Sequence, residues 1–172
     1  IAIDLPKERA MMHLDTIFTQ TSYDEGILFN HENYNIDQLA VYCASKKSKA
    51  TNLTKHTMNF VELLQDFGFN LISCGGLESN FKLREQLTDG ANSFVLEPGK
   101  VIMYNCNDYT ILELEKNGYK HISSNSLYKD PLTFEKILRS DSKVVISIDG
   151  SELVKGRGGP RCMTLPIKRG LV

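Results

Sequence analysis

Apolar and polar residues alternate over residues 11–19. Met12, Leu14 and Phe18 fall on one face and His13, Asp15 and Ile17 on the other, which predicts a strand. A polar turn at 22–25 leads to a second strand at 26–29, and 39–43 predicts a further one. At 58–67 the period changes. Phe60, Leu63, Leu64 and Phe67 sit at i, i+3, i+4 and i+7, the spacing of an amphipathic helix, and Gly68 closes it. A strand at 69–73 follows. The order then recurs: strands at 93–96 and 101–105, joined by Glu97-Pro98-Gly99-Lys100 with the chemistry of a type II turn, then a helix capped by Asn107 and ended by Gly118, then a strand at 119–123. A short helix around Phe134, Ile137 and Leu138 precedes an apolar strand at 144–148.

Two successive runs of strand, strand, helix, strand predict a repeat architecture in which each unit packs on its neighbour. With 172 residues the chain can bury one sizeable core, so 1–172 is read as a single domain or part of one. The opening Ile1-Ala2-Ile3-Asp4-Leu5-Pro6 reads as the middle of a strand, which predicts further chain upstream. The run Lys46-Lys47-Ser48-Lys49 is expected to be a solvated loop.

The most unusual stretch runs from Gly150 to Pro166. Gly156, Gly158, Gly159 and Pro160 give up regular hydrogen bonding to bring backbone close to something, and the loop delivers Cys162 onto an expected short strand at 163–167. Ser151 is placed to cap one helical turn ending at Gly156. A thiol attacks as thiolate, and nearby positive charge favours that form. Lys155, Arg157 and Arg161 supply such charge, with Lys168 and Arg169 just beyond. The residues alone leave two other readings open: a surface turn or phosphate-binding loop, and a cysteine that is simply a small buried hydrophobe. A P-loop is excluded, because no Gly-Lys-Ser/Thr follows at the required spacing. His13 and Asp15, two apart, form a second candidate pair, since a carboxylate beside an imidazole makes an acid/base group. A structural His–Asp hydrogen bond is the competing reading.

Charge adds little. The 20 basic and 21 acidic residues nearly cancel, which argues against nucleic acid or an anionic membrane as partner. No apolar run reaches the roughly 20 residues of a membrane helix. Cys43, Cys74, Cys106 and Cys162 lie far apart and show no CxxC pairing, and the histidines show no HExxH or HxH pattern. Neither a metal site nor a disulfide framework is expected, and free thiols suggest a cytoplasmic protein.

Three blocks taken together carry a resemblance: Met12-His13-Leu14-Asp15-Thr16, Tyr104-Asn105-Cys106-Asn107-Asp108, and the Gly150–Pro166 stretch with its Gly156-Arg157-Gly158-Gly159-Pro160-Arg161-Cys162-Met163 core. In order and context they resemble the C-terminal portion of the bacterial arginine deiminases, over essentially the whole chain. The resemblance implies an α/β pentein fold, a five-bladed propeller of ββαβ units with the upstream blades missing from 1–172. It implies hydrolysis of L-arginine to L-citrulline and ammonia with no metal or organic cofactor. Cys162 would be the nucleophile that forms an amidino-cysteine intermediate, His13 the general acid/base, and Asp15 a carboxylate on the guanidinium. Gly156 and Arg157 would belong to the loop that closes on the substrate's amino-acid end. Two further family carboxylates lie upstream of His13, outside this chain. The family's usual arginine is Cys106 here, and 125–141 is expected to be a surface elaboration. Other pentein enzymes with the same side-chain set, amidinotransferases and protein-arginine deiminases, are the runner-up. A non-catalytic fragment that binds arginine or a partner is a third possibility. The implied partner is a second copy or the remaining part of the same enzyme.

Overall fold

The computed structural model describes residues 1–47, 50–165 and 167. It is a mixed α/β structure with three sheets. In the first, β1 (Ala2–Ile3) lies antiparallel to β4 (Ala40–Lys47), which forms a long antiparallel hairpin with β5 (Ala50–Asn59). The second places β3 (Glu25–Leu28) between β2 (Phe18–Gln20), antiparallel with Phe18 opposite Leu28, and β6 (Asn70–Ser73), parallel with Ile27 opposite Ile72. A parallel neighbour requires a crossover, and α1 (Phe60–Asp66) supplies it. Its start is fixed by a reciprocal cap: the Glu62 N–H donates to Asn59 Oδ1 and the Asn59 N–H to Glu62 Oε2, both at 2.9 Å. Phe60, Leu63 and Leu64 are buried as the period predicts, but Phe67, in the C-cap, is 60% exposed.

The third sheet keeps the expected element order of the second unit but inserts a further strand. Its order is β7 (Phe94–Glu97), β8 (Lys100–Tyr104), β10 (Val144–Ile148) and β9 (Lys120–Ser123). The helix α3 (Asp108–Lys116) does lead to β9, yet β9 does not pair with β8. The apolar strand β10, with Val144, Val145 and Ile146 buried, enters between them and is parallel to both. A mostly apolar strand belongs in the sheet centre, flanked on both edges. The link from β9 to β10 carries α4 (Ser124–Lys129) and α5 (Pro131–Leu138), so most of 125–141 is helical.

One core joins the two units. Ile27, Phe29 and Ile72 from the second sheet, Val101, Met103 and Val145 from the third, and Leu64, Ile111 and Leu114 from α1 and α3 form one cluster. A polar clamp crosses the same boundary. Buried Glu25 accepts from Lys143 Nζ at 2.5 Å and from the Tyr119 hydroxyl at 2.9 Å.

Four further expectations change. Residues 11–19 are not one strand: 3₁₀ turns occupy Arg9–Met11 and Leu14–Thr16, and only Phe18–Gln20 is extended. The buried residues are Met11, Ile17 and Thr19, while Met12 and Leu14 are exposed, because Thr16 folds back to donate to the His13 carbonyl at 2.7 Å and turns the chain. Ser151 is not a cap: the turn Leu153–Gly156 has Glu152 before it. Met163 lies in a turn and the described part of 163–167 contains no strand, since Thr164 bonds back to the Arg161 carbonyl. Pro166, Lys168 and Arg169 lie outside the described residues. Lys46 and Lys47 end β4 rather than lying in a loop; Ser48 and Lys49 lie outside the described residues. Among the described residues no helix is long and apolar enough to cross a membrane.

Candidate functional site

The glycine-rich loop starts where β10 ends, and its approach is set by β8. A Cβ on Gly150 would lie 2.2 Å from the Tyr104 ring, so only glycine lets the chain turn over that ring. Tyr104 itself is fully buried. Its hydroxyl donates to the Gly158 carbonyl at 2.8 Å and also reaches Met163 Sδ at 3.2 Å. The other wall of the loop is the segment between α2 (Ser79–Leu87) and β7. There Asp89 accepts from the Gly158 N–H at 3.1 Å and Asn92 Oδ1 from the Cys162 N–H at 3.2 Å. A Cβ on Gly159 would lie 2.4 Å from Asn92 Oδ1 and 2.6 Å from the Asn92 carbonyl oxygen, so loop and segment are in backbone contact.

This anchoring brings Cys162 to Asp15. Asn92 Nδ2 donates to the Asp15 carbonyl at 3.4 Å, and the Arg161 Nε lies 3.7 Å from Asp15 Oδ2. Cys162, Arg161 and Asp15 together line an open cleft of about 810 Å³, with Thr21, Tyr23, Phe94 and Leu165 on its other walls. Asp15 is half-buried, and its Oδ1 is buried without a hydrogen-bond partner among the described residues. A desolvated carboxylate oxygen with no donor is costly unless a donor arrives. A cationic, planar donor suits it, because two charge-assisted hydrogen bonds can run in parallel to one carboxylate.

The remaining candidates sit at the margin. His13 is exposed on the turn that precedes Asp15 and does not line the cleft. Gly156 closes the 3₁₀ turn, and Arg157, exposed with φ 61°, does not line the cleft. Among the four cysteines Cys162 is exposed, Cys43 and Cys106 half-buried, and Cys74 buried. Burial pushes the Cys74 thiol up to about 12, so it stays neutral and inert. Burial also pushes the Cys106 thiol above its usual value. Among the described residues, no three His, Cys, Asp or Glu side chains gather as a metal site would require.

Sequence reasoning missed Asp89 and Asn92. The signal was Asp89-Gly90-Ala91-Asn92, turn chemistry between a helix and a strand. Asp89 holds φ 60°, a left-handed conformation that Asp and Asn tolerate better than other side chains. Burial raises its carboxyl above the ordinary 3.8, opposed by the Arg157 charge and the Gly158 N–H and reinforced by Asp15. The folded chain therefore keeps this proton to higher pH than the unfolded chain does. From 3.8 up through the raised value the native state binds more protons, so Asp89's contribution to stability falls as pH rises across that window. Asp89→Asn removes the titration and keeps an acceptor for Gly158. Urea unfolding at several pH values between about 4 and 7 should show the variant gaining on the parent as pH rises. A pH-independent difference between the two would mean that Asp89 is not desolvated.

Comparison with known proteins gives the same region a context. A family model described as arginine deiminase matches residues 1–169. The chain is 40% identical over 172 residues to an arginine deiminase of Mycoplasma capricolum subsp. capricolum, covering 98% of this chain and 36% of that protein. Over 173 residues it is 35% identical to an arginine deiminase of Streptococcus equi subsp. equi and 34% identical to one of Streptococcus agalactiae serotype V, with the same coverage. The chain thus spans 36% of the length of these curated relatives.

Proposed function

Since the chain belongs to the arginine deiminase family, we propose that it forms the nucleophile-bearing part of an enzyme that hydrolyses L-arginine to L-citrulline and ammonia. The observation that carries this is one cleft lined by both an exposed cysteine and a carboxylate oxygen that has no partner among the described residues. Asp15 binds the substrate guanidinium through that oxygen and keeps the group charged. The Cys162 thiolate attacks the guanidinium carbon and forms a carbon–sulfur bond. His13 gives a proton to the departing nitrogen, ammonia leaves, and an amidino-cysteine remains. Water, deprotonated by the same imidazole, adds to that carbon; the carbon–sulfur bond breaks and citrulline leaves with the thiolate restored. Splitting the reaction in two suits a carbon deactivated by three nitrogens, and imidazole can serve both half-reactions near neutral pH. His13 then has to swing from its exposed turn toward the cleft, which places it two residues from a group already there.

Residues 1–172 are on this reading the C-terminal part of one catalytic domain, a single domain built of ββαβ blades in a cytoplasmic pentein propeller. Gly156 and Arg157 close on the substrate's amino-acid end. The experiment is to mix full-length polypeptide with excess arginine, quench in acid within a turnover, and map the peptides by mass. An arginine-derived adduct on the peptide carrying Cys162 is the expected result. An adduct on the Cys43 or Cys106 peptide, or none while citrulline accumulates, overturns the mechanism.

A further inference from the structure

We propose that Asn92 is the positioning residue of this site: its carboxamide locks the Cys162 and Asp15 backbones to each other and so fixes the separation between thiol and carboxylate. The inference rests on reading Cys162 as nucleophile and Asp15 as guanidinium ligand. Asn92 is fully buried and uses both ends of its amide. Oδ1 accepts from the Cys162 N–H at 3.2 Å, and Nδ2 donates to the Asp15 carbonyl at 3.4 Å. The two partners dictate the amide's orientation. A backbone N–H can be satisfied only by the oxygen, and a carbonyl only by the NH₂. No hydroxyl of the same reach and no carboxylate offers one donor and one acceptor in a fixed plane.

The neighbouring backbone holds the amide still. The Asn92 N–H donates to the Asp89 carbonyl at 3.0 Å, and the Arg161 N–H approaches the Asn92 carbonyl at 3.5 Å. Gly159, without a side chain, lets the loop close to within contact of Asn92. Asn92 thus ties together two segments that come from distant parts of the chain, and touches neither reacting atom. Its effect falls on the geometry of attack, where a displacement near 1 Å costs about 10²-fold in rate.

The test uses full-length polypeptide carrying Asn92→Asp or Gly159→Ala, with Cys162→Ser in parallel. Three quantities are read: kcat and KM for arginine, and the pH profile of Cys162 alkylation by iodoacetamide, followed by peptide mass. For Asn92→Asp, kcat falls about 10- to 100-fold with KM changed by less than about 3-fold. Gly159→Ala, which adds no charge and pushes on Asn92 from the loop side, lowers kcat in the same range and alters the Cys162 alkylation profile. A structural role alone lowers the yield of folded protein and leaves kcat and the alkylation profile of the folded Gly159→Ala fraction unmoved; that result overturns the proposal. Parental kcat in Asn92→Asp overturns it as well, even when Cys162→Ser is dead. Activity retained in Cys162→Ser instead removes the underlying reading. The alkylation profile judges Asn92 whether or not a variant turns over.

Discussion

Cys162→Ser in the full-length polypeptide loses citrulline production by about 10⁴-fold or more. The described hydrogen bond at Cys162 is through its backbone N–H, and no described side chain stands as a hydrogen-bonded base on its sulfur. A thiol is a few per cent thiolate near neutrality, whereas a serine hydroxyl needs a base in contact to take its proton. The loss appears in kcat, because Asp15 and the cleft walls are untouched and arginine still binds. Steady-state citrulline assays, with arginine binding followed by calorimetry, separate the two quantities. Cys43→Ala and Cys106→Ala should cost stability at most. A Cys162→Ser enzyme running at even a hundredth of the parental rate would show that another group is the nucleophile.

The second large effect concerns residues 1–172 by themselves, which should turn over no arginine. Of the carboxylates that the resemblance assigns to the guanidinium, this chain carries Asp15 alone, and its Oδ1 lacks a donor among the described residues. Removing one partner from a buried charged contact costs about 3–5 kcal/mol, so two missing carboxylates lower kcat/KM by roughly 10⁴-fold or more. The rim of the cleft carries a matching demand. Tyr23 is 81% exposed and Leu165 84%, and both line the cleft. Large exposed apolar side chains at one opening are often covered by protein. The purified 172-residue chain should therefore associate with itself or with the remaining polypeptide. Sedimentation equilibrium and a citrulline assay decide this, and a 19.4 kDa monomer with normal deiminase activity would contradict both parts.

What the sequence made legible follows from which faces are apolar. The α1 stripe faces one apolar core, and β10 is apolar on both faces, Val145 in that core and Val144 and Ile146 in a second cluster with Ile137, so the apolar pattern alone locates both. Helix α2 was invisible for the opposite reason: its buried residues are Glu85 and Gln86. Glu85 accepts from the N–H groups of Tyr109 and Thr110 at the start of α3, both at 2.8 Å, and Gln86 donates to the Ala10 carbonyl at 2.7 Å. A helix whose inner face is polar has no apolar stripe to read. The polar strand β5 escaped in the same way. At the site, Cys162 and Asp15 were legible from residue type and family context, and the structure brings them to one cleft. Their supports were not, because Asp89 and Asn92 act through one and two side-chain hydrogen bonds to backbone, which leave no periodic trace. The alternation over 11–19 misled, since a Thr16 side-chain bond to His13 turns the chain before a strand can form.

The placement of β10 between β8 and β9 also sets an order of events during folding. On a growing chain, β9 emerges before β10 and has no partner in its own sheet until β10 arrives, because both of the described strand pairings of β10 are needed to join it to β8. The hairpin of β7 and β8 and the helix α3 are local and can form early, whereas closing the sheet means threading a strand into a preformed gap. The residue that follows β10 leads directly into the loop carrying Cys162. Cys162 is thus presented only after the sheet is complete, and a chain halted before Val144 would hold an open sheet edge and lack Cys162.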